Sequence, residues 1–222
     1  MRWGENPLRW RTLVLRLVVT VAVLAIWFWT QSLLGARAAP VNGGIGDALQ
    51  NLTGGMNSYF AQSPAAANAL LIVSSAFIDA LGLFLLGSWL SGGSVRPFLG
   101  LVLLMLLRQI LQALCSLPAP PGMIWHYPGF PSLLVTYHVA NDFFFSGHTA
   151  IAVFGALELA RFRRKLLTAV AILLVLFEVS AVLILRAHYT MDVFAGALAA
   201  LWVGRISERL SPAIDRRLPG SR

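Results

Sequence analysis

Two short segments of the sequence combine residue types that can carry out acid–base and nucleophilic chemistry. One contains His148 in the run Ser-Gly-His-Thr, and the other contains His188 in the run His-Tyr-Thr-Met-Asp. Asp192 follows His188 by four residues, one helical turn, so its carboxylate can hydrogen-bond the ring directly or stabilise it across a short gap. A carboxylate acting on one ring nitrogen fixes the tautomer and leaves the other nitrogen as a nucleophile. We therefore predict that these three residues form a catalytic group.

Residues near the histidines have the properties of an anion site. Ser146 and Gly147 fit the N-cap of a helix, where free N–H groups and the positive end of the dipole favour a phosphate. Arg186 lies two residues before His188, and Arg108 lies inside an apolar run, where a charge is costly and usually functional. We expect the two guanidinium groups to complete an anion clamp. Taken alone, Ser146 would be an ordinary N-cap.

A zinc site built on the histidines is the main alternative chemistry. The sequence contains no His-x-x-x-His pair, no cysteine near the histidines and no obvious third ligand, so we predict neither a metal nor a cofactor. His126 and His138 carry no spacing signal and are predicted to be loop residues. Asp79 and Glu178 lie in apolar runs, and either a structural ion pair or a catalytic role would explain each of them.

The composition places these residues in a membrane protein. Of 222 residues, 58% are hydrophobic and only 12% charged, a balance that indicates a bilayer protein rather than a soluble, disordered or disulfide-rich one. A helix needs about 20 apolar residues to cross the hydrocarbon, so we predict an all-α protein, one transmembrane domain over residues 1–222. The six predicted spans are Leu13–Leu34, Ala66–Leu90, Pro97–Leu117, Phe145–Ala160, Leu166–Leu185 and Met191–Ile206.

The basic residues predict the orientation of these spans. Fourteen of the seventeen fall on one side if the N-terminus is cytoplasmic, whereas Arg37 and Arg186 fall on the other and Arg108 lies within a span. This asymmetry predicts that both termini are cytoplasmic and that both histidines face the extracytoplasmic side. The net charge of +8 is then a topology signal, and we predict no nucleic-acid partner. The fourteen are Arg2, Arg9, Arg11, Arg16, Arg96, Arg161, Arg163, Arg164, Lys165, Arg205, Arg209, Arg216, Arg217 and Arg222.

The first span has a second interpretation as a cleaved signal peptide. Arg9 and Arg11 precede the apolar stretch, and the small-residue sequence Ala36-Arg37-Ala38 follows it. The stretch is about 22 residues long, however, against the 7–15 of a signal-peptide core. We therefore favour an uncleaved span; cleavage would leave the other five oriented as before.

The loops on the histidine side differ in character. Residues 35–65 are rich in Gly, Asn and Ser, and predict a loop with a short interfacial helix. Residues 118–144 carry five prolines, and predict a stiff, non-helical cover. Residues 186–190 form the short connection that contains His188.

The motif residues resemble the type-2 phosphatidic acid phosphatase superfamily, and most closely its sphingomyelin synthase branch. The branch pattern of an aspartate, three residues and Ser-Gly-His-Thr is matched by Asp142 and residues 146–149, and the pattern His-Tyr-Thr-x-Asp-Val is matched by residues 188–193. A weaker match is Arg108 followed by Leu-Pro at 117–118. The resemblance covers residues 96–202. Ala140-Asn141 and Phe194-Ala195-Gly196 depart from the branch, which leaves the headgroup and the acceptor open.

The resemblance implies a six-helix bundle that transfers a phosphocholine- or phosphoethanolamine-type group from a phospholipid to ceramide or diacylglycerol without a metal. By this resemblance His188 attacks phosphorus to form a phosphohistidine, Asp192 holds and stabilises the ring, and His148 is the general acid and then the base. The implied substrate-binding residues are Arg108, Asp142, Ser146, Gly147, Arg186 and Tyr189.

Two other functions remain open at this point. A lipid phosphate phosphatase would use the same histidines with water as the acceptor, and a non-catalytic membrane scaffold would keep the fold alone. Membrane lipids are the expected partners of either enzyme, as donor and acceptor, and the sequence leaves the oligomeric state open.

Overall fold

The structure, a computed structural model, describes residues 7–35, 45–91, 94–137 and 143–217. All regular secondary structure in these ranges is helical, and the chain divides into two compact units, Met1–Gly46 and Asp47–Arg222. The first unit contributes α1, and the second contributes α2 to α8. The helices are α1 Pro7–Gly35, α2 Ala48–Leu52, α3 Gly54–Gln62, α4 Pro64–Leu90, α5 Arg96–Leu114, α6 Gly147–Ala160, α7 Lys165–Ile184 and α8 Thr190–Asp215.

Three helices in the described part of the chain are long and apolar enough to cross a membrane, namely α4, α5 and α7. Helix α6 is apolar but has only 14 residues. Helix α8 continues to Asp215, beyond the predicted end at Ile206, because its last turns are amphipathic and bury Ser207 and Ser211. Reading for apolar runs detects the lipid-like part of a helix and misses a polar continuation of this kind.

Helix α6 is the centre of the second unit and packs against α4, α5, α7 and α8. Phe154 of α6 is fully buried and lies where α5 presents Gly100; a Cβ at that glycine would come within 2.0 Å of the phenyl ring. The remaining core is mainly aliphatic, with Leu81, Leu85 and Leu104 among its buried side chains. The residue before α6 bonds the first turn of α8, with Ser146 N 3.0 Å from Asp192 O, so the start of α6 lies at the same end as the start of α8.

Ion pairs lie at the end of this unit opposite to the histidines. Arg96 Nη2 lies 2.9 Å from Glu158 Oε1, with both side chains buried, and Arg161 Nη1 lies 3.2 Å from Glu208 Oε1. The sequence reading treated Arg96 as a loop cation that sets orientation. In the structure it is the first residue of α5, and its partner on α6 explains how a buried guanidinium is tolerated.

The two carboxylates in apolar runs have separate structural surroundings. Asp79 accepts hydrogen bonds of 2.9 Å from Ser132 Oγ and from the N–H groups of Leu133 and Leu134, so it holds the loop that follows α5. Glu178 is fully buried in α7 and accepts a 2.6 Å hydrogen bond from Ser74 of α4. Among the described residues neither carboxylate forms an ion pair. Asp79 therefore has a structural contact with this loop, made through hydrogen bonds.

The loops at the histidine end close over the bundle. Residues 115–137 contain neither helix nor strand, as their prolines predict. Residues 48–62 form the two short helices α2 and α3, where the sequence predicted one short interfacial helix. Together these segments surround the starts of α6 and α8.

Candidate active site

Both motif histidines line one cavity at the helix ends. His148 is the second residue of α6, His188 immediately precedes the cap of α8, and each is largely buried. The cavity, together with the open solvent at its mouth, encloses about 560 Å³ of atom-free space. The remaining lining comes from α4, α5, α6 and the segments between helices: Ile78, Met105, Arg108, Trp125, Leu134, Val135, Thr136, Phe143, Gly147, Ile151 and Ala187.

The tautomer of His188 is set by a backbone carbonyl. Its Nδ1 lies 2.9 Å from the carbonyl oxygen of Phe143, and because that oxygen can only accept, Nδ1 carries the proton. Asp192 Oδ2 is farther away, at 3.8 Å from Nδ1, and instead accepts the N–H of Tyr189 at 2.9 Å. With Nδ1 protonated, Nε2 of His188 keeps a lone pair, which is the state a nucleophile needs.

The imidazole of His148 is held by packing. Its Nε2 is buried and has no hydrogen-bond partner among the described residues. The ring meets Trp125 edge to face, with centroids 5.2 Å apart and planes at 84°. A buried imidazole nitrogen without a protein partner, in the wall of a cavity, can exchange a proton with a bound ligand.

Arg108 lies against the first turn of α6. Its Nε donates a 3.0 Å hydrogen bond to the carbonyl oxygen of Phe145, just before the helix begins. Gly147 makes this approach possible, because a Cβ there would come within 3.1 Å of the same Nε. A guanidinium and a helix N-terminus both attract anions, so their convergence on one cavity wall creates a site that favours phosphate.

Ser146 joins the two motif helices. Its hydroxyl caps α6 by accepting the N–H of Thr149 at 3.3 Å, and its own N–H donates to the carbonyl oxygen of Asp192 at 3.0 Å. Gly196, one turn further along α8, faces the Ser146 carbonyl, and a Cβ there would lie 2.6 Å from that oxygen. Ser146 is fully buried and is not among the cavity-lining residues, so its structural role is to fix α6 against α8.

Arg186 lies outside the cavity lining. Its Nη1 donates to the carbonyl of Pro121 at 2.7 Å, and Nη2 donates to that of Gln50 at 3.4 Å. Its φ is +52°, and it ends α7 in a Schellman arrangement, with Ala187 N bonded to Val182 O at 2.9 Å. The Arg186 guanidinium thus connects the loop at Pro121 to α2 at Gln50.

Two further predicted substrate-binding residues have different outcomes. Tyr189 is buried and is not in the cavity lining. Burial, followed by the charges of Asp192 and Asp47, raises the pKa of its hydroxyl above the ordinary value. Asp142 lies outside the described residues. Within the residues that the structure describes, no group of three His, Cys, Asp or Glu side chains could hold a metal ion.

The N-terminus of α8 is occupied by carboxylates. Asp192 accepts the N–H of Tyr189, and Asp47 Oδ2 accepts the N–H of Thr190 at 2.6 Å. The sequence predicts phosphate binding at the helix N-terminus formed by Ser146 and Gly147. In the structure the α6 terminus, beside Arg108, is the one that lies in the cavity wall, while two acidic side chains take up the donors of α8.

Sequence reading missed three contributors to this site. Phe143 acts through its carbonyl, which no side-chain pattern reveals, and Trp125 lies in the proline-rich loop outside both histidine motifs. Asp47 had a detectable signal: an Asp followed three residues later by Gln50 is typical of a helix N-terminus. That pattern predicts α2 but not the contact of Asp47 with Thr190, 143 residues away.

The fold and the histidine cavity define a helical protein with membrane-compatible helices and a site suited to phosphate chemistry. A family model described as AtPDCT1/2 matches residues 47–209, which include both motif histidines and most of α2 to α8. The chain belongs to the AtPDCT1/2 family.

A named relative agrees with that assignment. The chain is 24% identical over 193 residues to phosphatidylcholine:diacylglycerol cholinephosphotransferase 1 of Arabidopsis thaliana, a match that covers 87% of this chain and 61% of the relative. The chain thus spans about three fifths of the length of that relative. No solved structure matches the chain.

Proposed function

We propose that this chain is a phospholipid headgroup transferase that moves phosphocholine from phosphatidylcholine to the hydroxyl of a diacylglycerol. The observation that carries the proposal is the pairing of two imidazoles in one cavity. His188 has its Nδ1 proton held by a carbonyl, and His148 has an unpartnered Nε2. The named relative supplies the donor and acceptor classes.

In the first step Nε2 of His188 attacks the phosphorus of the donor. An N–P bond forms, the P–O bond to the glycerol oxygen breaks, and protonated His148 gives its proton to that departing oxygen. Diacylglycerol leaves, and the phosphocholine group stays on His188. The carboxylate of Asp192, 3.8 Å from Nδ1, stabilises the positive charge that the ring acquires.

The second step reverses these roles. Neutral His148 takes the proton of an acceptor hydroxyl, the acceptor oxygen attacks phosphorus, and the N–P bond breaks. The products are a new phosphatidylcholine and free His188, and both histidines return to their starting protonation states. The same two side chains therefore serve both half-reactions, with no other protein group required for proton transfer.

Arg108 and the start of α6 are suited to hold the phosphate through both steps. The guanidinium and the α6 N–H groups lie on one wall of the cavity. Donors that are fixed before the reaction stabilise developing charge without reorganising. Arg186 is not assigned to this task, since its guanidinium donates to carbonyls of Pro121 and Gln50.

Trp125 supports a choline headgroup over ethanolamine. It lines the cavity beside His148 and packs against Tyr137 with ring centroids 5.3 Å apart. The indole N–H is taken by the carbonyl of Thr136 at 3.1 Å, so the ring is held in place. Aromatic faces attract quaternary ammonium groups, and tryptophan does so most strongly. The headgroup nitrogen is separated from phosphorus by only an oxygen and two carbons, so it stays near the histidines.

We place this site in a six-span membrane domain, with both termini cytoplasmic and the cavity on the extracytoplasmic side. The basic loop around Arg164 lies at the opposite end of α6 from His148, as the positive-inside rule requires. Large apolar side chains are exposed along α4, α5, α7 and α8, which suits contact with lipid. Examples are Phe77, Leu83, Val102, Leu106, Ile172, Leu176, Phe194 and Trp202.

Sidedness can be tested by cysteine labelling. In a Cys115→Ser background, cells carrying Arg164→Cys or Tyr127→Cys are treated with a membrane-impermeant thiol reagent. We expect labelling of the Tyr127 variant alone in intact cells and of both after permeabilisation. Equal labelling of the two variants in intact cells would contradict the proposed topology.

Purified protein in liposomes tests the reaction itself. Unlabelled phosphatidylcholine is supplied with diacylglycerol whose acyl chains are deuterated, and mass spectrometry follows deuterated phosphatidylcholine. We expect this product with wild type and none with His188→Ala. Release of phosphate from phosphatidic acid, without any new phospholipid, would identify a phosphatase instead. Arms with ceramide as acceptor and phosphatidylethanolamine as donor define the substrate range.

A further inference from the structure

Asp47 connects the start of α2 to the start of α8. As the N-cap of α2, its Oδ1 accepts the N–H groups of Leu49 and Gln50 at 3.0 and 3.1 Å. The same carboxylate accepts two 2.6 Å hydrogen bonds from Thr190, one from the backbone N–H and one from the hydroxyl. One side chain therefore caps two helices that are far apart in sequence.

The residues that follow Asp47 reinforce this connection. The side-chain Nε2 of Gln50 donates a 3.2 Å hydrogen bond to the backbone carbonyl oxygen of His188, and the backbone carbonyl oxygen of Gln50 accepts one from Arg186. Asn57 of α3 donates from Nδ2 to the carbonyl of Ile184 at 2.9 Å. The segment Asp47–Gln62, which we call the clamp segment, thus binds the backbone of the α7–α8 connection at 184, 188 and 190.

This connection needs external support to hold one conformation. It contains Arg186 with φ at +52°, a left-handed conformation that is strained for a residue with a side chain. Among the described residues, the imidazole of His188 has one hydrogen bond, to the carbonyl of Phe143, which lies in a different loop. The match to the AtPDCT1/2 family starts at residue 47, so the clamp segment belongs to the shared region.

We propose that Asp47 is a positioning residue for His188, acting through its two hydrogen bonds to Thr190. The inference rests on the proposed headgroup transfer and adds a residue that the histidine motifs do not contain. Asp47 does not line the cavity, so its loss should disturb the nucleophile's placement without removing a contact to substrate. Misplacement of a reacting group by about 1 Å lowers rates by roughly 10²-fold.

The test compares Asp47→Asn, Thr190→Val and Thr190→Ser in the full-length protein. The asparagine variant loses the negative charge and one of the two acceptors, while the valine variant keeps the shape of Thr190 and loses its hydroxyl. We expect kcat for deuterated phosphatidylcholine formation to fall about 10²-fold for Asp47→Asn and about 10-fold for Thr190→Val, with KM for phosphatidylcholine unchanged. Thr190→Ser retains a hydroxyl and should therefore keep the wild-type kcat.

Asp215→Asn is the matched control at the other end of the bundle. Asp215 accepts from Val95 N at 2.8 Å and from Ser94 Oγ at 2.6 Å, so it caps α5 from α8 as Asp47 caps α8 from α2. We expect this variant to lose thermal stability with kcat unchanged. A purely structural Asp47 would behave like Asp215, so unchanged kcat in Asp47→Asn would overturn the proposal.

Hydrogen–deuterium exchange separates failure of this inference from failure of the proposed function. In Asp47→Asn we expect faster exchange in the peptide containing Thr190, whose N–H the carboxylate holds, and unchanged exchange around Val95. If the wild type transfers no headgroup, the proposed function fails, but the exchange difference at Thr190 still tests whether Asp47 holds the start of α8. If the wild type transfers the headgroup and exchange at Thr190 is the same in wild type and Asp47→Asn, the role of Asp47 is contradicted and the proposed function stands.

Discussion

The Nδ1 atom of His188 lies 3.8 Å from Oδ2 of Asp192, beyond the reach of a direct hydrogen bond. The nearer acceptor is the carbonyl of Phe143, at 2.9 Å. Of the two arrangements that four-residue spacing permits, the structure therefore has the carboxylate across a short gap. The carboxylate of Asp192 places a negative charge near the His188 ring, and it also accepts a hydrogen bond from the backbone N–H of Tyr189. These two functions can be separated by substitution.

Substitution of Asp192 should separate these two functions. Asp192→Asn can still accept the Tyr189 N–H but carries no charge, and we expect kcat to fall by about 10²-fold with little loss of thermal stability. Asp192→Ala loses both and should also unfold at lower temperature. Headgroup transfer and melting temperature in detergent measure the two effects. Equal melting temperatures for the two variants would contradict a stabilising role for the hydrogen bond from the Tyr189 N–H to Asp192.

The two histidines should respond differently to the leaving group of the donor. p-Nitrophenyl phosphocholine releases an anion that needs no proton. We expect His148→Gln to lose about 10³-fold with phosphatidylcholine and to retain most of its first burst of nitrophenol. His188→Gln should give no burst with either donor. A burst from His188→Gln would show that His188 is not the nucleophile.

Replacement of two glycines near the site by alanine should have different effects. A methyl at Gly147 would come within 3.1 Å of Arg108 Nε, a side chain that can move, whereas a methyl at Gly196 would lie 2.6 Å from the Ser146 carbonyl. We expect Gly147→Ala to raise KM for phosphatidylcholine with modest destabilisation, and Gly196→Ala to lower the melting temperature more. The melting temperatures of the two variants test this difference in packing, with Gly196→Ala expected to melt at the lower temperature.

Substitution of Trp125 should change donor preference. We expect Trp125→Leu to lower kcat/KM for phosphatidylcholine about 10-fold, in line with the loss of a partly desolvated cation–π contact, and to affect phosphatidylethanolamine less. Trp125→Phe should be intermediate. Trp89→Leu is the control, because Trp89 stacks on Phe98 at the other end of the bundle. Equal losses with both donors would argue against choline recognition by Trp125.

The contribution of Asp47 to stability should depend on pH. Burial raises the pKa of this carboxyl, but the hydrogen bonds from Thr190, Gln50 and Leu49 outweigh burial and hold the pKa below its ordinary value of 3.8. A depressed folded-state pKa stabilises the fold above the ordinary value and stops doing so as the pH falls through the lower one. The nearby charged and titratable groups are Arg186, His188, Tyr189 and Asp192.

We therefore expect Asp47→Asn to melt below wild type at pH 7, and the difference to shrink as the pH is lowered below 3.8. Circular dichroism melts in detergent across this range provide the measurement, with Asp79→Asn analysed in parallel. A difference that grows as the pH falls would have the wrong sign for a hydrogen-bonded carboxylate.

The sequence by itself determined the helical class of the protein and the members of its histidine pair. Hydrophobic runs are local signals, so the cores of α4, α5, α6 and α7 were predictable to within a few residues. The N-cap at Ser146 and the four-residue spacing of His188 and Asp192 are local as well. Such features follow from neighbouring residues and survive without knowledge of the rest of the chain.

Tertiary structure alone decided what each polar group binds. Arg186 is predicted to bind an anion, and the structure shows which carbonyls its guanidinium also contacts; Asp47 belongs to neither histidine motif and caps a helix whose start is 143 residues away. The Phe143 carbonyl that orients His188 has no side-chain signature at all. A buried donor must find whichever acceptor the packed helices bring near it, and that proximity is a property of the packing rather than of the local sequence.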